Sequence, residues 1–140
     1  MLQIFQTDFS HDWNTREGRK EGKLSCAQFT TLRLHSDKYK ASTIHKITNL
    51  GLSEHRFLGY AVVVQQIIFK FKDIDKYDVL CRLDTGYPFA ETATILNGIY
   101  KTLTPETFLN FVVMRYLTKK EETRLHEKIK QESLPTIPFQ

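Results

Sequence analysis

Along Gln28-Phe29-Thr30-Thr31-Leu32-Arg33-Leu34-His35 apolar and polar side chains alternate, and the run then gives way to a basic turn, Ser36-Asp37-Lys38-Tyr39-Lys40. A strand sends successive side chains to opposite faces, so Thr31, Arg33 and His35 share one face and Thr30, Leu32 and Leu34 the other. The first face is expected to carry chemistry and the second to pack. An apolar run at residues 2–5 predicts an earlier strand, and the mixed-charge, glycine-containing stretch 14–23 predicts a surface loop. Residues 43–50 predict a further strand, broken by Gly51 and Ser53. Residues 57–71 hold Val62-Val63-Val64 and Ile67-Ile68-Phe69, a β-branched run expected to form the central strand, buried on both faces.

From Asp73 the period lengthens. Ile74, Tyr77, Leu80 and Cys81 recur at three- and four-residue steps, which predicts a short helix ending near Leu83 and stopped by Gly86. Pro88 suits the first turn of a second helix with Phe89, Ala93, Leu96, Ile99 and Tyr100 as its apolar stripe. Residues 109–117 read as a closing strand. Beyond Thr118 a charged helix carries only Leu117, Leu125 and Ile129 on its apolar side, and the last seven residues contain Pro135 and Pro138, which favour an extended path. The order predicts a small α+β domain, barrel-like, over residues 1–117, with helices near the barrel mouth and a C-terminal extension at 118–140.

Composition narrows the class. At 140 residues, 41% of them hydrophobic and 26% charged, the chain has the make-up of one folded domain and needs no metal or disulfide to hold it. Cys26 and Cys81 fall in no metal-ligand spacing, which fits a reducing, cytoplasmic compartment. No stretch reaches the roughly 18 apolar residues of a membrane span, so no membrane partner is expected. The net charge of +4 permits attraction to phosphate without demanding it. There is no glycine-rich phosphate loop, His-Glu-x-x-His or Gly-x-Ser-x-Gly, and neither a cofactor nor a metal is expected.

Candidate chemistry gathers in two places, the strand around Thr31 and Arg33 and the cluster Asp84-Thr85-Gly86-Tyr87. Arg33 offers a fork for a phosphate or carboxylate, or pairs with Asp84 to tie strand to loop. Lys38 and Lys40 either contact phosphates of a single-stranded RNA or a nucleotide, or form a solvated turn. Tyr39 and Tyr87 either stack on bases or seal the rim. At the far end, Leu134, Ile137 and Phe139 are separated by prolines and could anchor a protein partner.

A Thr-x-Arg strand, a Lys-Tyr-Lys turn, two strands, a helix ending in Asp-x-Gly-Tyr, a helix ending Ile-Tyr and a last apolar strand together resemble the ASCH branch of the PUA-like superfamily, over residues 24–117. The resemblance implies a small β-barrel with helices at its mouth. It also implies RNA binding, ribonuclease activity or hydrolysis of acylated cytidine, depending on the member. The family's signature is similar to Gly-x-Lys-x-x-Thr-x-Arg. Thr31 and Arg33 match its end, whereas Cys26 stands at the glycine and Gln28 at the lysine. Lys23 lies five residues before Gln28, a displacement of about 16 Å along an extended strand. The resemblance makes Thr31 and Asp84 the catalytic candidates. The expected function is binding of RNA or a nucleotide-like ligand by Gln28, Thr31, Arg33, Lys38, Tyr39, Lys40, Asp84, Thr85 and Tyr87, with no catalysis required. The alternatives are hydrolysis of RNA or of a modified nucleoside, and a non-catalytic interaction module that uses the tail.

Overall fold

Five strands form one mixed sheet in a computed structural model that describes residues 2–10, 12, 22–51 and 54–133. The strands are β1 (Ile4–Phe9), β2 (Gln28–Leu34), β3 (Ile44–Asn49), β4 (Arg56–Lys70) and β5 (Phe108–Tyr116), in the order β1-β3-β4-β5-β2. Only β1 and β3 run parallel. The helices are α1 (Asp78–Thr85), α2 (Phe89–Ile99) and α3 (Lys119–Ser133). The β-branched run is the middle strand of the order, but it is not buried on both faces. Val64 and Ile68 are each 47% exposed, beside a register shift between Val63 and Gln65 that turns the strand. The long-period run from Asp73 begins as a 3-10 segment, Phe71–Tyr77, and becomes α-helical only at Asp78.

Alternate positions on β2 and β5 feed two separate cores, one on each face of the sheet. Phe29 opposite Met114, and Val112 opposite Thr31, join Phe9, Leu24, Tyr39, Ile47 and Val63 on one face. Leu32 opposite Phe111 and Leu34 opposite Leu109 join Phe69, Ile74, Cys81 and Leu96 beneath α1 and α2 on the other. Burial in this second core pushes the Cys81 thiol up to about 11, so it is packing material rather than a nucleophile. Two glycines serve the backbone. Gly86 caps α1 at φ 82°, and Gly59 holds φ 144° opposite Ile47, where the ring of Tyr116 packs against it.

The sheet does not close into a barrel. Its edge strands, β1 and β2, share no ladder, yet they lie within side-chain reach of each other. The Arg33 guanidinium donates to the carbonyl of Asp8 at 2.6 Å and lies 4.5 Å from the centre of the Phe9 ring, which meets Phe29 edge-on. Lys38 donates to the carbonyl of Gln6 at 3.2 Å. Cations therefore satisfy two carbonyls of an edge strand that would otherwise be unpaired. No helix among the described residues is long and apolar enough to cross a membrane.

Candidate functional site

Lys23 decides the geometry of the site. It was expected in an exposed loop, some 16 Å from the site by extended spacing, but residues 23–25 form a 3-10 turn, so the extended spacing does not apply. Three contacts pin that turn. The Leu24 amide donates to Asp12, the Leu24 carbonyl accepts from the Tyr116 hydroxyl at 2.7 Å, and the Cys26 amide closes back on Lys23. The Lys23 side chain is thereby buried and its Nζ donates to Asp84 Oδ1 at 2.7 Å. Asp84 in turn sits in the last turn of α1, where the helix dipole opposes a negative charge, and the lysine ammonium compensates. The same carboxylate oxygen accepts from the Thr30 hydroxyl at 2.8 Å.

Thr31 follows a different circuit. Its Oγ1 accepts from Arg33 Nε at 2.9 Å, and Arg33 carries on to Asp8 as described above. Arg33 and Asp84 therefore form no ion pair with each other; each has another partner. Lys23, Thr31, Arg33, Asp84 and Thr85 nevertheless line one pocket of about 80 Å³, in the seam between the two sheet edges. Ile95, Ile99 and Tyr100 of the second helix and its end close it on the apolar side. Burial holds the Tyr100 hydroxyl above its usual value, so at neutral pH it is a donor.

The other candidates scatter. Gln28 is exposed at the start of β2, outside the pocket lining, so it does not occupy a catalytic lysine's place. Tyr39 is 3% exposed and stacks on His45 with ring centres 5.5 Å apart; a ring already stacked inside the core is not a base platform. Lys40 is exposed and only loosely paired with Asp37 at 4.0 Å. Thr85 lines the pocket, but its hydroxyl is occupied by the Cys81 carbonyl, the Tyr87 amide and Thr92. Tyr87 is 42% exposed, outside the pocket. Leu134, Ile137 and Phe139 lie outside the described residues.

Sequence reasoning missed Lys23 and Thr30. The signal for Lys23 was Gly22, where a Cβ would collide with the Asp12 that holds the turn; Thr30 is on the face expected to pack, which the helix carrying Asp84 covers. A second buried network lies behind the seam. His45 Nε2 donates to the Lys38 carbonyl at 2.8 Å, and burial pushes its pKa down to about 4, so the imidazole is neutral near pH 7 and its Nδ1 accepts from the Thr7 hydroxyl at 2.7 Å. Among the described residues no cluster of His, Cys, Asp and Glu could hold a metal ion. No protein-family model, curated protein or solved structure matches this chain.

Proposed function

We propose that the seam pocket binds RNA or a nucleotide-like ligand and that catalysis is not required of it. The observation that carries this reading is the separation of the two threonines. Thr30, whose hydroxyl donates to a carboxylate able to take its proton, is outside the pocket lining. Thr31, which does line it, accepts from an arginine and touches no base. A hydroxyl nucleophile needs a base within hydrogen-bond reach, and among the described residues no threonine combines that partner with access to the pocket. What lines the pocket is a recognition set: a carboxylate acceptor at Asp84, donors at Lys23 and Arg33, and apolar walls from Ile95 and Ile99. A heterocycle edge that presents an amino donor beside a ring or carbonyl acceptor matches that set, and at about 80 Å³ the pocket takes that edge while the rest of the ligand lies outside it. The resemblance to PUA-like domains agrees with this reading.

One observation favours the hydrolase alternative. Lys23 reaches Asp84, so a lysine, a carboxylate and a threonine do meet, although the lysine comes from the turn before β2. An ammonium donating to a carboxylate has no lone pair to accept a proton, so Lys23 is a charge stabiliser in this arrangement rather than a base. Nuclear magnetic resonance titration with cytidine 5′-monophosphate and a short single-stranded RNA tests the binding reading. Shifts confined to the pocket residues and weakened in Arg33→Gln support it. Absence of saturable shifts with either ligand overturns it, and release of acyl group from an acylated cytidine moves the assignment to the alternative.

A further inference from the structure

A second cavity, of about 300 Å³, lies away from the seam between α3 and the sheet. One register row crosses its floor, since Ile44 on β3 faces Val62 on β4 and Val62 faces Arg115 on β5. Leu117 and Leu125 add apolar wall, and Leu125 is itself only 5% exposed. Leu2 closes one end, where its amide donates to both carboxylate oxygens of Glu132.

The charges on this cavity are unequal. Arg115 and Glu121 neutralise each other through two bonds, of 2.7 and 2.9 Å, and this pairing pulls the Glu121 carboxyl down to about 2. Arg124 and Lys128 stand one helical turn apart on α3, line the cavity, and have no ion pair among the described residues. Among the described residues no acid other than Glu121 lines it. The result is an apolar trough with two unneutralised cations on its rim. The Glu132 carboxylate at the Leu2 end repels an anion from that side.

We propose that this groove binds an amphiphilic carboxylate of medium chain length, with its alkyl chain along Ile44, Val62, Leu117 and Leu125 and its head group between Arg124 and Lys128. A methylene occupies about the volume of a water's share of liquid, ~30 Å³, so the cavity accommodates a chain of roughly eight to ten carbons. The apolar floor supplies affinity in proportion to chain length, and the paired cations select the anion. The site is independent of the seam and of the function proposed for it.

Calorimetric titration of the full chain with butyrate, hexanoate and octanoate, and with octan-1-ol as the uncharged control, tests this. Affinity is expected to rise about fourfold per added methylene. Octanoate should bind at least about tenfold more tightly than octan-1-ol, and R124Q/K128Q should erase that preference. Arg33→Gln should have no effect. The proposal is overturned if octanoate shows no saturable binding or an affinity independent of chain length. Loss of binding in Arg33→Gln but not in R124Q/K128Q overturns it too, by moving the anion to the seam. A large gain in affinity on removing residues 134–140 would make the chain's own tail the occupant.

Discussion

Replacing Lys23 with Met strands a carboxylate. Asp84 is 3% exposed, and without the ammonium the remaining donor to its Oδ1 among the described residues is the Thr30 hydroxyl, at the unfavourable end of a helix. At the observed separation of 2.7 Å, two unit charges attract by roughly 6 kcal/mol at an effective dielectric of 20. Desolvation of both ions offsets most of that gain, so the net worth of the pair is small although the cost of breaking it is not. Lys23→Met and Asp84→Leu are each expected to lose about 3–5 kcal/mol, whereas the double variant should recover most of the loss because no unpaired charge remains. With a urea m-value of about 2 kcal/mol/M, each single variant moves the unfolding midpoint down by roughly 2 M. The coupling measured from the four midpoints should be nearly unchanged between 0.1 and 1 M sodium chloride, because a buried pair is poorly screened. Single variants that lose less than about 1 kcal/mol, or a coupling that vanishes in high salt, would show that water reaches the pair and refute the reasoning.

The remaining predictions use the same assays. His45, with a pKa near 4 against 6.5 in the unfolded chain, leaves the unfolded state binding more protons as pH falls, so stability is full above pH 6.5 and declines towards pH 4 by about 3 kcal/mol. Urea midpoints at pH 7.5 and 4.5 should show a smaller drop in His45→Gln than in the parent. Tyr39→Ala should cost about 3–5 kcal/mol in thermal or urea unfolding, as loss of a buried ring does. Gly59→Ala should destabilise by about 1 kcal/mol or more, since its φ of 144° suits only glycine, and the effect is read from the same midpoint. Gln28→Lys, at an exposed position outside the seam pocket, should leave both stability and nucleotide titration unchanged.

Element order was legible because period is a local property. Alternation at residues 28–34, the β-branched run near residue 63 and the Gly86 stop each correspond to an observed element within a few residues. Closure was not legible. Whether β1 joins β2 depends on how two edges meet across the whole chain, and that meeting is made by Arg33 and Lys38 side chains rather than by a strand pattern. Tyr39 looked like a turn aromatic because its neighbours are polar, but His45 on β3 offers it a flat partner inside the core. Lys23 was hidden for a similar reason. Its sequence distance from β2 translates into space only if the intervening chain is extended, and a single 3-10 turn reverses that inference. The candidate site was therefore visible as a location, through Thr31, Arg33 and Asp84, but not as a set of partners.

The seam ties fold and site together through one side chain. Arg33 uses Nε on Thr31 and one terminal nitrogen on the Asp8 carbonyl, so it joins the site strand to the opposite edge of the sheet while facing the pocket. A guanidinium carries five N–H donors in a fixed fork, and these two bonds leave others able to meet a ligand. Binding at the seam thus need not compete with the contact that holds the edges together. A ligand that adds a second acceptor to the fork fixes it further, so occupancy and edge closure should favour each other. Any ligand specific to the folded seam stabilises the protein by RT ln(1 + [L]/Kd), about 2.7 kcal/mol at a hundredfold excess over Kd. If Arg33 is the link, part of that gain appears as slower hydrogen exchange at the β1 amides, since Asp8 and Phe9 of that strand line the pocket. Equal protection of β1 with and without ligand, alongside a clear rise in global stability, would separate the two roles of Arg33 and leave the seam a structural joint beside the site.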